Sequence, residues 1–147
     1  MKQFIFVGFY ALLLAGSAAA QPFLGQPKFR CNQVNLARLE DYQSVTGFFD
    51  ALGVPTQVRV FSTYVPNQVL SYRERATVAA GGTTDYVTWD ITGRQTGTAV
   101  NYYFLLLPKA VPSTGTFEGE LNTYFDRGQA GFSQNTMRCE IQARGGV

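Results

Sequence analysis

The chain has 147 residues, 46% of them hydrophobic and 15% charged, against roughly 25% charged in an average soluble domain, and a composition this apolar excludes intrinsic disorder of the body. The formal charge of +2 lacks the basic excess of a nucleic-acid binder. There is no histidine and there are only two cysteines, which removes Ser-His-Asp and Cys-His catalysis and nearly every zinc site.

The first predicted element is an export signal. Lys2 supplies the positive start, Phe4 to Ala15 an uncharged apolar run, and Gly16-Ser17-Ala18-Ala19-Ala20 the small residues a signal peptidase needs, so residues 1–20 read as a signal peptide cleaved after Ala20. The run is shorter than the roughly 20 residues that span a bilayer, and no basic flank follows Gln21-Pro22, so no membrane span is expected in the mature chain. The expected destination is the periplasm or the exterior. The remainder, 21–147, is one β-rich domain, too short for two independent cores.

Cys31 and Cys139 stand near the two ends of that domain, in strand-like stretches whose neighbours two residues away are apolar, which turns both sulfurs inward. In an oxidising compartment such a pair forms a disulfide, so the first and last strands are expected to be neighbours. The segment Val34 to Leu52 reads as two strands in preference to a helical turn over Val45 to Leu52.

From there period-two alternation dominates. Val58 and Val60 oppose Arg59 and Phe61 in the run Gln57 to Val65, bracketed by Pro55 and Pro66. Gln68 to Val78 is half exposed, and its Arg73-Glu74-Arg75 offers no lipid face, which disfavours an outer-membrane barrel. Asp85 to Thr92 sets Val87, Trp89 and Ile91 against Tyr86, Thr88 and Asp90, with Trp89 expected at the centre of the core. Ala99 to Leu107 is almost wholly apolar and should be covered on both faces. Thr116 to Asp126 alternates cleanly, Phe117, Gly119, Leu121, Thr123 and Phe125 inward and Glu118, Glu120, Asn122 and Tyr124 outward, and Gly131 to Gln142 is the last strand. About eight strands with short connections predict an antiparallel β-sandwich, or alternatively a small closed β-barrel, with first and last strands joined by the disulfide.

Two features bear on function. Tyrosines at Tyr64, Tyr72, Tyr86, Tyr103 and Tyr124 could form an outward aromatic platform for a glycan or an exported protein, with Tyr103 and Tyr124 the leading candidates. Glu118 and Glu120 share one strand face at a spacing of roughly 7 Å, which permits carboxylate chemistry but equally dresses a solvated strand. Asp85 and Asp90 lie in no calcium-loop pattern, and the glycine pairs lack a phosphate-loop context, so no metal and no cofactor are implied. The leading expectation is an exported, non-catalytic binding module of monomeric or weakly oligomeric form. The alternatives are a small carboxylate-dependent glycan hydrolase and a lipocalin-like carrier of an apolar molecule lined by Trp89, Tyr102 and Phe104.

Overall fold

A computed structural model describes residues 26–34, 43–62, 68–96, 100–126 and 130–142. Residues 1–20, read above as a signal peptide, and Tyr64 lie outside them. Among the described residues there is no helix, and ten strands follow one another: β1 (Lys28–Gln33), β2 (Gln43–Phe49), β3 (Pro55–Ser62), β4 (Val69–Arg75), β5 (Thr77–Val78), β6 (Tyr86–Asp90), β7 (Arg94–Gln95), β8 (Val100–Pro108), β9 (Gly115–Asp126) and β10 (Ala130–Gln142). Of the region read as two strands in preference to a helical turn, residues 35–42 lie outside the described residues, and the rest contributes β2, with a turn at 51–53 behind it.

All ten belong to one curled antiparallel sheet, in the order β5-β6-β8-β9-β10-β1-β2-β3-β4-β7. The architecture is thus the barrel-like one of the two expected, with one continuous wall in place of two stacked sheets. Its two ends in that order are pieces of the same neighbouring runs. β4 passes through Ala76 into β5, and β6 passes through residues 91–93 into β7. The run 69–78 lies beside the run 86–95, with Ser71 and Tyr72 opposite Gln95 and Arg94, and Thr77 and Val78 opposite Asp90 and Trp89. Joining these pieces leaves eight chain runs, and the curl brings the edges together along a seam, which leaves few strand edges unpaired.

The seam is held by backbone approach and by polar contacts. The Gly93 N–H donates to Ser71 Oγ at 2.9 Å, and Arg73 Nη1 donates to the Thr92 carbonyl at 2.7 Å. A Cβ on Gly93 would stand 1.9 Å from the Tyr72 carbonyl oxygen, a backbone atom that cannot swing aside. Gly93→Ala should therefore pry the two runs apart and lower stability by about 3 kcal/mol, the upper end of ordinary overpacking, read as a fall in the urea midpoint. An unchanged midpoint would show that the runs are not pressed together there.

Alternation places Phe29, Cys31, Val45, Phe49, Val58, Val60, Tyr103, Leu105, Leu107, Leu121, Met137 and Cys139 on the inner face, fully or almost fully shielded from solvent. Phe29 and Phe49 stack at 4.6 Å between ring centroids. Trp89 faces the same interior but is only partly buried against that cluster, so it flanks the core and does not form its centre. Toward one end the inner face turns polar: Gln33 Nε2 donates to Asn135 Oδ1, and Thr123 Oγ1 donates to Gln43 Oε1, so these buried groups satisfy one another.

The Cys31–Cys139 disulfide joins β1 to β10 at directly opposed positions. A bonded pair belongs to an oxidising compartment and is consistent with an extracytoplasmic protein. No helix among the described residues is long and apolar enough to cross a membrane.

The turn between β2 and β3 is organised by Asp50. Its Oδ1 accepts from the N–H groups of Leu52 and Val54, each at 2.9 Å, and Oδ2 pairs with Arg75 at the end of β4. Partial burial alone would raise the pKa of this carboxyl. The hydrogen bonds from Val54, Arg75 and Leu52 and the charge of Arg75 outweigh it and hold the group below its ordinary 3.8. A carboxylate depressed in the folded state adds stability that is complete above 3.8 and is lost as the pH falls through the lower folded value. Asp50→Asn should flatten the melting temperature's decline on acidification below that point, in a series of thermal melts compared with the parent.

Candidate functional site

The outer face of the wall is polar over β1 and β10, where Lys28, Arg30, Arg138 and Glu140 are exposed. It changes character over β8 and β9. Cross-strand registers set Tyr102 beside Tyr124 and Tyr124 beside Phe132, and place Phe104 beside Asn122. The next row is Thr88, Leu106, Glu120 and Thr136, each opposite the one before. Tyr102, Tyr124 and Phe132 are 44%, 44% and 53% exposed, an outward aromatic row that an ordinary solvated strand has no reason to carry.

This face holds a groove of about 500 Å³, bounded by Tyr102, Phe104, Leu106, Glu120, Asn122 and Tyr124 on the strands and by Thr88, Ala80 and Gly81 at its side. A second hollow of about 240 Å³ continues past Leu106 and Glu120 to Glu118, Tyr86 and Thr83. The rim is the connection from β5 to β6, which folds back on its own strand. Ala79 N–H donates to the Thr88 carbonyl, Thr83 N–H to the Tyr86 carbonyl, and Lys109 N–H reaches the Asp85 carbonyl. Gly81 supplies the turn with φ 97°, a conformation side-chain-bearing residues avoid.

The aromatic rings are mutually braced. Phe104 meets Tyr124 edge-on at 5.6 Å and 87°, and Tyr124 leans on Phe132 at 4.8 Å, geometries that suit ring quadrupoles. Two polar atoms of the groove are buried and lack a hydrogen-bond partner: Thr88 Oγ1 and Asn122 Oδ1. Thr88 is only 5% exposed. Neither atom offers accessible surface to the groove, so the cost of about 1–3 kcal/mol that a buried polar atom without a partner carries falls on the packing beneath the groove and not on a surface open to a ligand.

Of the residues singled out from sequence, Glu118, Glu120 and Tyr124 come together on this face. Tyr103 does not join them. It is 1% exposed and points into the core, where its hydroxyl accepts from Asn101 Nδ2 at 3.2 Å. The platform position belongs to its neighbour Tyr102. The interior lining expected of Trp89, Tyr102 and Phe104 is likewise corrected: Trp89 is inward, whereas Tyr102 and Phe104 line the outer groove. Sequence reasoning misses Thr88, Asn122 and Phe132 as residues of this face, and it assigns Tyr102 and Phe104 to the wrong side of the wall. The outward parity of Asn122 and Thr88 is legible in the alternation, but their missing partners depend on neighbours from other strands. Tyr72 stands elsewhere on the wall, under the Arg59 guanidinium at 5.5 Å. Among the described residues no three His, Cys, Asp or Glu side chains converge as a metal set would.

Comparison with protein-family models, curated proteins and solved structures finds no match to this chain, and its function is argued from this face alone.

Proposed function

We propose that the chain is a non-catalytic binding module, exported to the periplasm or the exterior after cleavage behind Ala20, which takes its ligand in the outer groove of β8 and β9. The observation that carries this reading is the groove itself, walled by the exposed rings of Tyr102 and Tyr124, the edge-on Phe104, and the polar Glu120. Binding sites combine apolar walls with a few convergent polar groups in this manner.

The geometry weighs against the two alternatives. Glycosidase carboxylates flank the scissile bond from two sides. Glu118 and Glu120 project from the same face of β9 with Glu120 on the groove wall, and both would approach a bound chain from beneath. A carrier would need room inside the wall, where Phe29, Phe49, Tyr103, Leu105, Leu107, Leu121 and Met137 are fully buried against one another.

The test titrates isotope-labelled protein with three probes: neutral oligosaccharides, the apolar dye N-phenyl-1-naphthylamine, and aromatic-rich peptides. At least one should shift the resonances of Tyr102, Phe104, Asn122 and Tyr124 without being consumed. Tyr102→Ala should weaken that binding at least ten-fold, as truncating an interface aromatic commonly does (more than about 1.4 kcal/mol), with the melting temperature nearly unchanged. Shifts confined to another face, no shifts, or turnover abolished by Glu118→Gln or Glu120→Gln would overturn the reading.

A further inference from the structure

We infer, building on that binding face, that its occupant is an extended peptide segment of a partner protein, held by an arginine side chain whose guanidinium meets Glu120. The charge of the groove carries this assignment. Among the described residues, the two hollows are lined by the carboxylates of Glu118 and Glu120 and by no cation, in a chain whose formal net charge is +2. The exposed basic side chains of the outer wall stand elsewhere: Lys28 and Arg30 on β1, Arg59 on β3, Arg94 on β7 and Arg138 on β10. Arg138 opposes Glu118 and stands diagonal to Glu120, yet it forms an ion pair with neither and lines neither hollow. The residues directly beside Glu120 are Leu106 and Thr136, which leaves its charge open to a cation from outside.

Glu120 is half-buried beside apolar walls, where a charge is screened less than in open water. An apolar or neutral occupant would cover that carboxylate without pairing it, at a cost in desolvation, and an anion would be repelled. A cation gains twice. Phe104 stands diagonal to Glu120, and diagonal neighbours of a strand pair lie about 7–8 Å apart, within reach of long side chains. A cation between them meets a carboxylate and comes within the roughly 6 Å at which a ring face attracts it. Guanidinium suits the place better than ammonium, because its plane stacks on a ring while its fork donates two parallel hydrogen bonds to one carboxylate. The arginine stem would lie over Leu106. The chain makes the ring half of this contact on its far wall, where Arg59 Cζ lies 5.5 Å from the centre of the Tyr72 ring. The length of the face favours a peptide over a free amine. From residue 118 to residue 124 a strand rises roughly 20 Å at about 3.4 Å per residue, and every second side chain of an extended peptide faces the same way, a repeat of about 7 Å that matches the outward residues of β9. An arginine over Glu120 therefore sets the side chain four residues away beside Tyr102 and Tyr124, whose exposed rings suit an aromatic partner.

The probes are capped serine octapeptides that carry one phenylalanine and, four residues on, either arginine or its neutral isostere citrulline. In an NMR titration the arginine peptide should shift the resonances of Tyr102, Phe104, Glu120 and Tyr124, and the citrulline peptide should bind at least ten-fold more weakly. Glu120→Gln keeps the size of the side chain and removes its charge. It should weaken the arginine peptide at least ten-fold and leave the citrulline peptide level, with the melting temperature nearly unchanged because Glu120 pairs with no cation in the free protein. Raising the salt from about 50 to about 500 mM should weaken the arginine peptide alone. Equal affinity for the two peptides, or arginine binding that Glu120→Gln leaves unchanged, would overturn the assignment. Benzyltrimethylammonium binding as tightly as the arginine peptide would overturn it in favour of a small organic cation. If an oligosaccharide or N-phenyl-1-naphthylamine shifts this face and neither peptide does, the peptide assignment falls and the binding face stands. If no probe shifts it, both fall.

Discussion

Replacing both Cys31 and Cys139 by alanine is expected to lower the unfolding free energy by about 2–5 kcal/mol, the cost typical of removing a native disulfide from a small exported domain. The two cysteines are 108 residues apart, and in the chain-entropy account a cross-link enclosing about 100 residues restricts the unfolded ensemble by about 4.7 kcal/mol. Residual order in the unfolded chain lowers the effect below that figure, while loss of packing raises it. Both side chains are fully buried on the inner face, with Val45 opposite Cys31 and Phe117 opposite Cys139. Two alanines therefore leave a void among close-packed groups as well as freeing the ends. The bond also ties β1 to β10, where the first and last strands of the wall meet. Without it, that junction depends on backbone hydrogen bonds and on inward packing alone. Urea titrations followed by circular dichroism, comparing the oxidised parent with the doubly substituted chain, check this. Coincident midpoints would mean that the junction holds without its cross-link.

The contrast between β9 and β8 separates what a linear pattern of residues encodes from what it leaves open. In β9 every second residue is polar, so the phase of the alternation is fixed, and Glu118, Glu120, Asn122 and Tyr124 fall outward as expected while Phe117, Leu121 and Thr123 are buried. The cysteine pairing is legible for the same reason, since inward parity at both ends leaves two sulfurs on one face. In β8 the run from Val100 to Leu107 is apolar at nearly every position, and an alternation without contrast has no phase. Tyr102 and Tyr103 are then interchangeable by pattern, and only the register against β9 separates them: Tyr102 opposes the outward Tyr124 and Tyr103 the inward Thr123. The seam is hidden for a different reason. Its closure depends on the runs 69–78 and 86–95 lying side by side through Gly93, and the glycine-rich tract reads locally as nothing more than a turn. The site is only half-visible in the sequence because its groove is walled by residues of β6, β8 and β9 together with Ala80 and Gly81, a set that no single segment encodes.

That difference of one position gives the second large effect. Tyr103→Ala should cost about 3–5 kcal/mol, the range for truncating a buried aromatic side chain. The ring is 1% exposed, and its hydroxyl takes a hydrogen bond from Asn101 at 3.2 Å. Its backbone also anchors the seam side of β8, with its N–H donating to Thr92 Oγ1 and its carbonyl accepting from Ile91, so a collapse of the side chain disturbs the run that closes the wall. Tyr103→Phe, which keeps the ring and loses only the hydroxyl contact, should cost about 1 kcal/mol. Tyr124 makes the opposite prediction. Nearly half exposed, it contributes chiefly its contacts with Phe104 and Phe132, aromatic pairs worth about 0.5–1.5 kcal/mol each. Tyr124→Ala should therefore cost far less stability than Tyr103→Ala while losing at least ten-fold in affinity for whichever probe occupies the groove. Urea titration and a binding titration on the same preparations read both quantities. Should Tyr124→Ala cost as much stability as Tyr103→Ala and leave binding untouched, the outer aromatic row would be a brace for the sheet and not a surface for a ligand.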